Sequence, residues 1–172
     1  FGFIIICIFL VVYIILYRKK KLAYIELVKK NQEWAEVVPF VPKHYSSEKQ
    51  EGDETLPIDD EQIELYERSC KLIEEKSLYK KTDLSLHMLA YMIGTNKNYL
   101  STAINSITKD NFSNFINNYR KEEAIRMLKA NKDLTLESIA LEIGFRDRTT
   151  FYRAFKKITG LTPSEFKNNI TD

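Results

Sequence analysis

Apolar residues recur at intervals of three and four along most of this chain, and no alternating run is long enough for a strand. Ile63, Tyr66, Cys70 and Ile73 share one face of a predicted helix that Asp59 or Asp60 can cap. Residues 86–94, "LHMLAYMIG", and 136–144, "LESIALEIG", each read as a short helix closed by glycine, with Ser85 or Thr135 as cap. Asn96 and Asp147 then cap a second helix in each region. Leu100, Ala103, Ile104 and Ile107 face inward in one, and Phe151, Phe155 and Ile158 in the other. Between them, Ile116, Tyr119, Ala124, Met127 and Leu128 mark a long connector helix over about 113–130, roughly 22 Å of rod.

The two short helical pairs are copies of each other. Leu86, Ala90, Ile93 and Gly94 match Leu136, Ala140, Ile143 and Gly144 at an offset of fifty. Beyond the glycine the offset is fifty-one, with Ala103, Ile107, Thr108, Ser113 and Phe115 matching Ala154, Ile158, Thr159, Ser164 and Phe166. Helix, tight turn, helix, with a small alanine at the crossing, is the pattern of a helix-turn-helix. Its repetition excludes chance better than either copy would. A solenoid needs three or more stacked repeats and does not gather basic residues on one helix of each pair.

The first seventeen residues, "FGFIIICIFLVVYIILY", carry no charge, and "RKKK" follows at Arg18 to Lys21. As a helix this run measures about 25 Å against a bilayer core of about 30 Å. It is expected to be a transmembrane helix over 1–17, cut at its start, with the basic side in the cytoplasm. A signal peptide would place its basic residues before the run. Residues 18–36 are expected to continue as a cytoplasmic juxtamembrane helix with Leu22, Ile25 and Val28 as a short stripe. Residues 37–58, with three prolines, a glycine and many polar residues, read as a flexible acidic linker.

The net charge of +2 hides segregation. Residues 48–75 hold three basic and eleven acidic side chains, whereas residues 80–167 hold fifteen basic and nine acidic ones. A basic region of this kind suits an anionic partner. The two cysteines, Cys7 and Cys70, cannot build a disulfide framework, and both read as small buried hydrophobes. His44 and His87 have no ligand at metal spacing. There is no nucleotide-binding glycine loop, paired catalytic carboxylate or metal cluster, so no enzyme activity and no cofactor is expected.

The segment 134–167, "LTLESIALEIGFRDRTTFYRAFKKITGLTPSEFK", resembles the C-terminal DNA-binding domain of the AraC/XylS family of bacterial transcription regulators. "IGF", "FYRAFKKITG" and "TPSEF" carry the likeness. In the first copy Lys109 stands where glycine is common and "DNFSNFI" replaces "TPSEF". The resemblance covers roughly residues 59–168. It implies an all-α fold: two tandem helix-turn-helix subdomains, at about 85–107 and 135–158, joined by the connector within a DNA-binding domain over 59–169. Together with the expected span and tether, it is similar to a membrane-anchored subgroup found in Bacteroidetes-like bacteria. In that subgroup a sensor, often of tetratricopeptide repeats, precedes the span. The implied function is a membrane-anchored, sequence-specific regulator at the inner membrane that relays an extracytoplasmic signal. The alternative is a membrane-anchored helical protein-interaction module without DNA binding.

The implied partners are double-stranded DNA and, through the single span, the membrane. RNA polymerase and a second copy of the chain are further candidates. On the second recognition helix Arg148, Thr149 and Arg153 are the expected base readers, because arginine can grip guanine O6 and N7 and threonine can touch a thymine methyl. Lys156 and Lys157 lie further along and suit phosphates. On the first, Asn98, Ser101 and Thr102 are the expected readers, with Lys97 and Asn105 flanking as phosphate contacts. Arg120, on the connector, is expected to be structural and to pair with a nearby acid.

Overall fold

The computed structural model describes residues 2–37, 59–131 and 133–170; the side chains of residues 3–8, 11, 24 and 31–37 are not among those described. Most of the expected linker, residues 38–58, lies outside that set. The described elements are all helical: α1 (Gly2–Val37), α2 (Asp60–Glu75), a 3-10 turn (Leu78–Lys80), α3 (Leu86–Ile93), α4 (Lys97–Thr108), α5 (Phe112–Ala130), α6 (Leu136–Glu142), α7 (Arg148–Thr159) and α8 (Pro163–Asn169).

Side-chain caps set where the helices begin. Asp59, Ser85, Asn96, Asn111, Thr135, Asp147 and Thr162 each accept a hydrogen bond from the first turn of the helix that follows. Each cap satisfies a donor that the helix leaves without a partner. Thr162 and Glu165 form a reciprocal capping box, with Pro163 in the first helical position.

Two hydrophobic cores form. The first joins α2, α3, α4 and the start of α5 through Leu65, Ile73, Leu89, Leu100, Ile104 and Phe115. The second joins the end of α5 with α6, α7 and α8 through Ile125, Leu128, Ile139, Phe151, Phe155 and Phe166. Ala90 and Ala140 are both buried, at the helix crossings the repeat places them in. Cys70 is buried in the first core, and burial pushes its thiol up to about 12.

The repeat is visible in detail at the ends of α4 and α7. Thr108 Oγ1 donates to the Ile104 carbonyl at 2.7 Å, and Thr159 Oγ1 donates to the Phe155 carbonyl at 2.8 Å. Each hydroxyl also accepts from the backbone N–H two residues on, that of Asp110 or Leu161. The residue between adopts a left-handed conformation in both copies: Gly160 at φ +78°, and Lys109 at φ +56°.

The N-terminal helix departs from the expectation. Among the described residues, no helix is long and apolar enough to cross a membrane. The expected transmembrane helix over 1–17 is therefore not supported, nor are the single-pass inner-membrane location and the membrane as partner. The physical reason lies in the length and continuation of α1. The uncharged run falls short of a bilayer core by about 5 Å. The helix does not end there but carries on through exposed Arg18, Lys19, Lys20 and Lys21. Its later turns pack on the second core, where Val28 is 4% exposed and Leu27 lies against the cluster. Of the expected stripe, only Val28 is buried; Leu22 and Ile25 remain exposed.

Candidate nucleic-acid interface

The two faces of α7 divide sharply. Phe151 and Phe155 are buried, packed edge-on at 5.6 Å between ring centroids, and Phe155 meets Phe166 of α8 at 5.5 Å. Arg148, Thr149, Arg153, Lys156 and Lys157 are exposed. The helix start is held by Asp147, whose carboxylate accepts from the Thr150 backbone N–H at 2.7 Å and the Thr150 hydroxyl at 3.0 Å. These bonds, led by the backbone one, hold the Asp147 carboxyl below its usual range, and the nearby Arg153 charge adds to them.

Arg148 is already oriented. Its Nη2 donates to the Tyr152 hydroxyl at 2.8 Å, and its guanidinium lies 4.8 Å from the Tyr152 ring centroid. The Tyr152 hydroxyl in turn lies 2.5 Å from Ser164 Oγ on α8. A planar guanidinium held over an aromatic face loses less freedom on meeting a partner than a free one. The role of Tyr152 as the support for Arg148 was not legible from spacing, because Ser164 lies on a separate helix.

Lys157 has a partner too. Its ammonium donates to Asn114 Oδ1 at 3.1 Å, in the first turn of α5. The Asn114 amide reaches Asp110 Oδ1 at 2.5 Å.

On α4, Leu100, Ala103 and Ile104 are buried, while Lys97, Asn98, Thr102 and Asn105 are exposed and Ser101 is half-buried. Asn96 Oδ1 accepts from the Tyr99 N–H at 2.8 Å and sets the helix start. The Thr102 hydroxyl donates back to the Asn98 carbonyl at 3.0 Å. With its amide turned to satisfy both atoms, Asn105 donates to the Asp110 carbonyl at 2.7 Å and the Ser101 carbonyl at 3.3 Å. That bond serves the end of α4. α4 therefore offers a polar face with one cation, and α7 a face with four.

Among the described residues, Arg120 pairs with no acid. Its Nε donates to the Tyr79 carbonyl at 2.7 Å and its Nη2 to the Lys81 carbonyl at 3.0 Å, and the guanidinium lies 5.0 Å from the Phe145 ring centroid. No pattern in the sequence could show this, because its polar partners are backbone carbonyls about forty residues away.

A family of helix-turn-helix domains matches residues 89–169. A protein of unknown function from Listeria innocua has a structure 30% identical in sequence, with a TM-score of 0.54, over 60% of this chain and 94% of that one. Residues 89–169 form a helix-turn-helix domain. The C-terminal domain of AraT, a response regulator from Geobacillus stearothermophilus, is similar at 25% identity and a TM-score of 0.55, over 60% of this chain and 84% of that domain. The transcriptional regulatory protein YesN of Bacillus subtilis is 39% identical over 77 residues, which are 44% of this chain and 21% of that protein. This chain thus spans about a fifth of that relative's length.

Proposed function

We propose that α4 and α7 are the recognition helices of a sequence-specific DNA-binding unit in a transcription regulator. The observation that carries this reading is the division of α7 into a buried phenylalanine face and an exposed arc with two arginines and two lysines. A helix that only packed within a protein assembly would gain little from four cations on its outer face. A helix entering a major groove needs them, since most of the binding free energy comes from phosphate neutralisation. Arg148, Thr149 and Arg153 lie in the first half of α7, where a recognition helix reaches base edges. Lys156 and Lys157 lie a turn later, near the groove wall. On α4, Asn98, Ser101 and Thr102 are the base-facing set, and asparagine suits adenine N6 and N7. Lys97 and Asn105 flank them toward the backbone.

The two recognition helices would enter successive major-groove segments about 34 Å apart on one face of the duplex. Holding both at once favours a bend in the DNA, at a cost of about 1–6 kcal/mol that the second set of contacts offsets.

The test is selection of duplexes from a random pool, followed by fluorescence anisotropy titration at several salt concentrations. DNA binding predicts one enriched sequence class and an affinity that falls steeply with salt. No enrichment and a flat salt response would favour the protein-interaction module instead.

A further inference from the structure

Among the described residues, the two hydrophobic cores share only α5, whose Phe115, Ile116 and Tyr119 belong to the first and whose Ala124, Ile125 and Leu128 belong to the second. A single shared helix would leave the two helix-turn-helix units free to rock about its middle. Arg120 sits at that middle. It grips the carbonyls of Tyr79 and Lys81 in the first unit and covers the Phe145 ring in the turn of the second. Two further contacts converge on the same junction. A Cβ on Gly144 would come within 2.6 Å of the Tyr79 carbonyl oxygen and 2.7 Å of the Lys80 backbone, so the second turn lies directly on the 3-10 segment of the first unit. The Lys80 ammonium meets Glu123 Oε1 on α5 at 2.8 Å.

We propose that Arg120 is a positioning residue that fixes the angle between α4 and α7, and through it the number of base pairs required between the two DNA segments that the domain binds. This rests on the DNA-binding reading above. The leverage is large: a rotation of roughly 10° at the junction, acting over roughly 17 Å, moves a recognition helix by about 3 Å, close to the rise of one base pair. Two divergent N–H donors and a flat stacking face are needed to hold carbonyls on one side and a ring on the other. Lysine has neither the fork nor the plane.

The experiment has two arms. In the first, the full chain is titrated with its selected duplex and with versions whose central spacer is changed by one or two base pairs. The wild type should lose about tenfold or more for a single base pair. Arg120→Met should flatten the profile to within about threefold, chiefly by weakening the native spacing, and Arg120→Lys should not restore it. Arg153→Ala should lower the whole profile without changing its shape. In the second arm, spin labels replace Tyr91 and Leu141, which are exposed at matching positions of α3 and α6, with Cys7 changed to serine. Their distance distribution, read without DNA, should be narrow in the wild type and broad in Arg120→Met. If Arg120→Met fails to fold, Arg120→Lys serves in both arms. A folded variant that keeps the wild-type spacing profile and a narrow distance distribution overturns the proposal, as does a wild type indifferent to spacing. Absence of any DNA binding defeats the earlier reading, and the distance arm still decides the role of Arg120.

Discussion

The Lys157 ammonium donates to Asn114 Oδ1 at 3.1 Å, joining the last turn of α7 to the first turn of α5. The bond is exposed, so water competes for both groups and a phosphate can displace the amide at little cost. Lys157→Ala should weaken a selected duplex and a scrambled one alike and lower the salt slope by about one unit. Asn114→Ala should leave that slope unchanged. Anisotropy titrations over a salt series separate the two, and an unchanged slope in Lys157→Ala would make the residue a purely internal tie.

Lys109 occupies a left-handed conformation, φ +56°, at the position where the second copy has Gly160. A side chain there costs about 1–2 kcal/mol in backbone strain. Glycine would relieve it, less about 0.5–1 kcal/mol for the greater freedom of the unfolded chain. Lys109→Gly should therefore stabilise the domain by about 0.5–1 kcal/mol, read from the urea midpoint. A lower midpoint would mean that the lysine side chain has a structural role beyond this turn.

Asp147 links pH to stability through its cap. Its carboxyl is held below the usual range by the Thr150 bonds. A depressed folded value means that the carboxylate's contribution is complete above the ordinary aspartate range, near pH 4, and is lost as pH falls through the folded value. Asp147→Asn keeps a capping oxygen but no titrating group. The wild type should melt above Asp147→Asn at neutral pH, and the gap should close in acid. A gap independent of pH would assign the difference to geometry rather than charge.

Capping and burial were legible in the sequence because both are local. Ser85, Asn96, Thr135 and Asp147 precede helical runs and accept first-turn N–H groups, and the spacing of Phe151 and Phe155 alone places both inside. The outward residues of α7 follow from the same arithmetic. The rest depended on contacts between distant segments. Tyr152 is tied to Ser164 and Arg120 to two carbonyls, and the type of neither partner marks it out in the sequence. The uncharged N-terminal run misled because composition alone suggested a bilayer, while Val28, in an unremarkable three-residue stripe, packs against the second core.

Arg153 carries the central claim, that α7 reads bases rather than merely attracting DNA. It is exposed two residues past buried Phe151, in the first half of the helix. The most direct measurement is the affinity of Arg153→Ala for the selected duplex and for a scrambled duplex of equal length at one salt concentration. The expected result is a loss of about 1–3 kcal/mol on the selected duplex and much less on the scrambled one. Equal losses on both duplexes would make Arg153 a phosphate contact and contradict base reading by α7.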